Sequence, residues 1–235
     1  MNSEPYLPKP FRALLLGASG GIGAAFASLL RTDPDCAALV TVSRTTHLFF
    51  DLESAEFASG LVAFLADESA FDLVIDATGV LSLDGKGPEK SLKTLEPHYL
   101  HRIFQINTFG PALLLTTLEP WLVKGPGCYA KLSARVGSNG DNHLGGWYGY
   151  RASKAALNML LQSAAIELHR RRPQLRILAL QPGTVRTPLS APHIGDPTHA
   201  LEPVDSAREM LKVIYQAPIL QGASFLDYRG QPIPW

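Results

Sequence analysis

The chain is 235 residues long, 46% hydrophobic and 18% charged, a composition that supports one large domain with a buried core and excludes a disordered chain. Lys plus Arg and Asp plus Glu each number 21, so the net charge is zero and no excess points to nucleic acid or to an anionic membrane. Cys36 and Cys128 lack metal-like spacing, the seven histidines are scattered, no apolar run is long enough to span a bilayer, and residues 1–11 hold no apolar secretory core; the expectation is a cytoplasmic protein without a metal site or disulfide framework.

In chain order, residues 12–16 (RALLL) read as a buried strand that stops at Gly17, and residues 21–31 as a helix. A second strand spans 39–43, and 47–50 reads as a short third. Helical spacing follows at 55–66, then a strand at 73–76. A long helix is expected over 97–123, a strand over 128–133, and a helix over 150–170 that ends in the basic run Arg170–Arg172. A strand at 175–181, a helix at 204–215 and a last strand at 224–226 complete the chain. No repeat or linker divides it. Strands that alternate with helices of this length imply a parallel sheet, and strands apolar at every position suit a sheet covered on both faces. The expected fold is a single α/β domain over 1–235, with a doubly wound parallel sheet of about seven strands. Such a sheet places its ligand crevice beyond the carboxyl ends of the strands.

The first strand is followed by Gly17-Ala18-Ser19-Gly20-Gly21-Ile22-Gly23, which opens a helix. Glycines here permit a tight turn and close backbone approach, and the helix N-terminus offers free N–H groups to a pyrophosphate, the arrangement of a Rossmann-type dinucleotide site. An NAD-type site needs a carboxylate about 20 residues further on. Ser43-Arg44-Thr45-Thr46 stands there instead, without an acid. Arg44 can hold a 2′-phosphate as a charged fork, so NADP(H) is expected over NAD(H). Gly79, in Asp76-Ala77-Thr78-Gly79, suits another close approach to the cofactor.

Tyr150 and Lys154 lie four apart in YGYRASKAALNML and share a helix face, whereas Tyr148 meets Ala152 at that spacing. A nearby ammonium lowers a phenol's pKa, and Ser133, at the end of a strand, can donate to a substrate oxygen. These groups suit hydride transfer between a carbonyl and an alcohol, with Tyr150 as the acid/base.

Tyr150-x-x-x-Lys154, the upstream Ser133 and Gly17-x-x-x-Gly21-x-Gly23, in that order from Arg12 to the end of the chain, resemble the short-chain dehydrogenase/reductase family. GGWYGYRASKAALN and the closing GASFLDYRGQPIPW look most like its C-factor-like and sniffer-like carbonyl reductase branch. The resemblance implies an oxidoreductase with a catalytic set of Ser133, Tyr150, Lys154 and Asn107, the last holding a water that relays protons to the lysine. It implies adenine contact by Asp51 and Leu52, cofactor contact by Ala77, Thr78 and Gly79, and ribose binding by Lys154. It further implies nicotinamide contact from Pro182-Gly183-Thr184-Val185-Arg186-Thr187, through Val185 and Thr187. Leu16 and Asp76 depart from the family's usual threonine and asparagine. Residues 134–149 are expected to border a small carbonyl or alcohol substrate, with Arg135, Asn142 and Trp147 in reach, and residues 188–203 to form a lid. Family habit implies a homodimer or homotetramer. The rival reading is an NADP(H)-binding signalling protein of the C-factor type; a sugar-nucleotide epimerase is disfavoured because little chain follows Thr187.

Overall fold

A computed structural model of the protein describes residues 7–195 and 197–235. Six strands form one parallel sheet: β1 (Phe11–Leu16), β2 (Cys36–Val42), β3 (Leu73–Asp76), β4 (Gly127–Leu132), β5 (Leu175–Gln181) and β6 (Ser224–Asp227), in the order β2-β1-β3-β4-β5-β6. The sheet is doubly wound, as expected. α1 (Gly21–Thr32) and α6 (Pro203–Gln216) cover one face; α2 (Phe57–Leu65), α3 (Pro97–Phe104), α4 (Gly110–Leu118) and α5 (Tyr148–His169) cover the other. β1, β3 and β4 are almost wholly buried, so alternate residues feed two separate cores, Leu14, Leu16 and Val74 on one side and Ala13, Leu15, Leu73 and Ile75 on the other. Among the described residues no helix is long and apolar enough to cross a membrane.

Two expectations are corrected. The sheet has six strands rather than seven, because residues 47–50 do not form one. The Ser43 carbonyl accepts from the N–H groups of Thr46 and His47, and its hydroxyl bonds those of Thr45 and Thr46, at 2.9–3.2 Å. The chain therefore curls locally and packs His47 and Phe49 against Phe64, which leaves no extended edge to pair.

The second correction concerns the long helix over 97–123, which is broken. A π-helical turn, Gln105–Phe109, separates α3 from α4, and a short 3-10 turn, Glu119–Trp121, follows. Pro111 has no N–H for the Asn107 carbonyl, and its ring crowds that carbonyl in a regular α turn. Widening the turn, with Gly110 N donating to Gln105 O, relieves the clash. The widened turn carries Asn107 into the interior.

The winding reverses between β1 and β3. The loops after these two strands therefore flank an open crevice at the carboxyl edge.

Candidate active site

The glycine loop is a cradle that side chains would fill. Gly17 has φ +80°, and a Cβ there would lie 2.9 Å from the Ala77 carbonyl carbon. A Cβ at Gly23 would run into the Gly17 carbonyl oxygen, a backbone atom that cannot give way. The Gly17 N–H bonds Val42 O and the Gly20 N–H bonds Gly17 O, which sets the turn. No side chain caps the N-terminus of α1, so its leading N–H groups remain available to an anion. Gly17, Ser19, Gly20, Arg44, Phe50, Asp51, Leu52, Ala77, Thr78 and Gly79 line one end of the crevice. Arg44 is exposed, and no carboxylate among the described residues pairs with it. These features fit a dinucleotide with a phosphate near Arg44.

The crevice continues along Gly21, Ile22, Gly23, Val80, Leu132, Ser133, Tyr150, Lys154, Pro182, Thr187, Pro188 and Leu189. Ser43, Asn107, Gly183 and Val185, expected at the site, are not part of this lining, and Ser43, Asn107 and Val185 are buried. Val185 is buried, and its carbonyl accepts from Ser190 Oγ. Thr187 packs on the cradle, its methyl 2.8 Å from the Cβ position of Gly21. Phe50, Val80, Ile106 and Leu132 were not anticipated; each flanks an anticipated residue, and no polar signal marks it, whereas Pro188 and Leu189 open the segment expected to form a lid.

α5 presents the Tyr150/Lys154 pair. Glu89 fixes its first turn: one carboxylate oxygen accepts from Gly149 N at 3.0 Å, and the Glu89 carbonyl accepts from Trp147 N at 2.5 Å. A carboxylate suits the positive end of the helix dipole. Trp147 is held at φ +52°, a region a bulky residue seldom adopts, and its ring meets Tyr150 edge-on at 6.2 Å. One turn later the Lys154 amine stands 5.7 Å from the Tyr150 ring centroid and donates to Leu132 O at 3.2 Å.

Burial drives both titrations. It pushes Tyr150 up to about 12. It pulls Lys154 down to about 7, helped by the positive charge of Lys131 and opposed by Asp76. The lowered tyrosine pKa expected from the sequence is therefore reversed in direction. An amine that titrates at about 7 is already uncharged at the alkaline pH where the phenol loses its proton, so it leaves the phenol's desolvation unopposed.

Ser133 lines the crevice beside Tyr150 and Lys154, but its hydroxyl donates to Asn158 Oδ1 at 2.6 Å. Asn158, one turn beyond Lys154, was not anticipated, because a contact between residues 25 apart leaves no local sequence pattern. Asn107 Oδ1 accepts from Val80 N at 2.8 Å, and its amide nitrogen donates to Val80 O at 2.9 Å and to Ser153 Oγ at 3.3 Å. A Cβ at Gly79 would lie 3.2 Å from Asn107 Oδ1 and 3.4 Å from Lys154 Nζ. Gly79, Asn107 and Lys154 thus converge.

Of the residues expected to border substrate, Trp147 stands at the site. Arg135 is drawn toward Asp141 and Asp227, and the Asn142 side chain accepts from Gly145 N. The segment after Thr187 reaches over the mouth: His193 meets Trp147 edge-on at 5.7 Å and bonds Ser82 Oγ at 2.9 Å. Asp196, within the expected lid, lies outside the described residues.

Residues 12–196 match the profile of the short chain dehydrogenases. The chain is similar to a 1-hydroxy-2-glutathionyl-2-methyl-3-butene dehydrogenase of Rhodococcus sp. (strain AD45), 32% identical over 205 residues, 86% of this chain and 85% of that protein. It is similar to the C-signal protein of Myxococcus xanthus, 38% identical over 136 residues, 57% of this chain and 77% of that one. A structure from Burkholderia multivorans, assigned to the short-chain dehydrogenase/reductases and solved with bound NADP, superposes with a TM-score of 0.78 at 25% identity, covering 97% of this chain and 100% of that one. With its glycine cradle, its Tyr150/Lys154 pair and this agreement over most of its length, the chain belongs to the short-chain dehydrogenase/reductase family.

Proposed function

We propose that the protein is an NADP(H)-dependent oxidoreductase that interconverts a carbonyl compound and its alcohol. The observation that carries this reading is one continuous crevice, lined at one end by the glycine cradle and unpaired Arg44 and at the other by Tyr150, Lys154 and Ser133. The bound nicotinamide supplies or removes the hydride. Gly17–Gly23 receives the pyrophosphate on bare backbone and on the N-terminus of α1. Arg44 clasps the ribose phosphate, and Asp51 and Leu52 flank the adenine. Thr187 and the Pro182–Val185 turn hold the nicotinamide end. Tyr150, which bears its proton at pH 7, gives it to the developing alkoxide. Lys154 holds the ribose; contact with an anionic dinucleotide favours its charged form, which then draws the phenol's pKa down. Ser133 bonds the substrate oxygen once its proton turns away from Asn158. Asn107, fixed by the Val80 backbone, keeps Gly79 and Lys154 in register with a proton-relaying water. Trp147 and Leu189 give the carbonyl's substituents an apolar wall.

The test is turnover of a panel of ketones and aldehydes with NADPH and with NADH. NADPH is expected to be preferred. Arg44→Ala is expected to lower kcat/KM for NADPH about 10- to 100-fold, the loss of one charge-assisted phosphate contact, and to leave NADH nearly unchanged. Equal use of both cofactors by the parent protein rules the assignment out.

The C-signal likeness favours a second reading, a signalling protein that binds the dinucleotide with little turnover. It requires no consumption of NADPH across the panel although NADPH binds. Pairing of two chains through α4 and α5 is supported by exposed Leu113, Met159 and Leu160, and mass in solution tests it.

A further inference from the structure

Beneath the crevice floor lies a group of buried polar side chains that the chemistry above does not use. β3 and β4 are neighbours, and their register sets Asp76 beside Lys131 and Val74 beside Tyr129. Alternate residues share a face, so Asp76, Lys131 and Tyr129 meet on one side of the sheet. All three are fully buried. Asp76 Oδ1 accepts from Lys131 Nζ at 3.0 Å, from Thr78 N at 2.9 Å and from Thr78 Oγ1 at 2.5 Å, while Oδ2 accepts from the Tyr129 hydroxyl at 3.1 Å. Lys131 Nζ also donates to Thr78 O at 2.6 Å and to Thr78 Oγ1 at 3.0 Å.

Burying a lone ion pair costs more desolvation than apolar side chains of the same volume, so stability of the sheet does not account for this one. Its bonds converge instead on Thr78, whose N–H, carbonyl and hydroxyl are all engaged. Thr78 lies between Ala77, whose carbonyl abuts the Gly17 turn, and Gly79, which faces Asn107 and Lys154. All three residues line the crevice.

We propose that Asp76, Lys131 and Tyr129 form a buried positioning unit that anchors the Ala77–Thr78–Gly79 turn in the shape that receives the dinucleotide. The inference rests on the dinucleotide reading above. None of the three touches cofactor; they act through Thr78. An exposed turn of this length, held only by its strand ends, samples several conformations, and its ordering at binding weakens affinity. The unit orders the turn beforehand, so its effect falls on cofactor affinity rather than on the chemical step.

The experiment uses the full chain, with NADPH binding followed by fluorescence titration, kinetics with an accepted carbonyl compound, and thermal melting. Lys131→Met leaves the Asp76 carboxylate buried without its partner, and is expected to lower both Tm and affinity. The double variant Asp76→Asn with Lys131→Met removes both charges. Its Tm is expected to stay near the parent's, while the Kd for NADPH rises about tenfold or more through the lost donations to Thr78. KM for NADPH is expected to rise in step, with kcat at saturating cofactor within about threefold of the parent. A double variant that binds NADPH as tightly as the parent overturns the inference, whatever its Tm. If the double variant does not fold, Tyr129→Phe carries the test, because it removes only the hydroxyl that donates to Asp76 Oδ2 and reaches no crevice-lining residue directly: weaker NADPH binding with a near-parent kcat supports the unit, and parent-like binding overturns it. A parent that does not bind NADPH overturns the dinucleotide reading itself, and this inference with it.

Discussion

Tyr150→Phe is expected to abolish most carbonyl reduction, lowering kcat by about 10³-fold, while NADPH still binds within a few-fold of the parent affinity. The substitution removes one hydroxyl and keeps the ring, which stays packed edge-on to Trp147 and under the Lys154 amine. The cradle at Gly17–Gly23 and the Arg44 contact lie elsewhere in the crevice, so cofactor affinity is retained. The loss is that of the general acid, a contribution of about 10²–10⁴-fold where a positioned side chain donates to a developing alkoxide. Steady-state kinetics and a fluorescence titration, run on the same preparation, check both halves. Turnover within tenfold of the parent would show that another group supplies the proton, and the mechanism above would fall.

Lys154→Met is expected to destroy activity and to stabilise the protein, with the second effect confined to a window of pH. The amine is buried and titrates at about 7, below the 10.5 of an exposed lysine. Between those values the unfolded chain binds more protons than the native one, so stability rises as pH climbs from about 7 toward 10.5. Below about 7 both states are charged, and the native protein bears the full cost of an ammonium in the interior. A tenfold loss of proton affinity on folding corresponds to about 1.4 kcal/mol, so the variant is expected to gain a few kcal/mol at pH 6 and progressively less toward pH 10. Lys131, also lowered by burial, acts in the same direction and leaves the variant some residual slope. Tyr150 acts oppositely at the alkaline end. Its folded value, about 12, lies above the 10.0 of a free phenol, so stability is lost as pH rises from 10 toward 12. Denaturant titrations at pH 6, 8 and 10 on parent and variant give the comparison. Equal stability at pH 6 would mean that the parent's amine is not buried as described. A catalytic residue that weakens its own fold is a trade between activity and stability.

Glu89 and Asn158 show why parts of the site were invisible in the sequence. Glu89 precedes α5 by nearly 60 residues, yet its carboxylate receives Gly149 N in the helix's first turn. No local pattern marks it, because a capping residue is normally read from the position just before a helix. Asn158 sits in plain view in YGYRASKAALNML, but as a helix-interior polar residue it has no role until Ser133 is brought to it by the β4–α5 packing. The break at residues 105–109 was legible in part. Pro111 announces a missing N–H, while the choice of a widened turn over a kink depends on what α5 packs against it.

Local sequence was enough to specify the doubly wound sheet, the glycine cradle, the lack of an acid near Arg44 and the Tyr150/Lys154 spacing. These are short-range properties: runs of apolar residues, a turn that tolerates only glycine, and two side chains one helical turn apart. The direction of each pKa shift, the partner of the Ser133 hydroxyl, the six-strand count and the Asp76–Lys131–Tyr129 group under the floor were settled only by the folded chain. Each of those depends on burial or on contact between residues distant along the sequence, and a group's desolvation and neighbours exist only once the layers have closed around it.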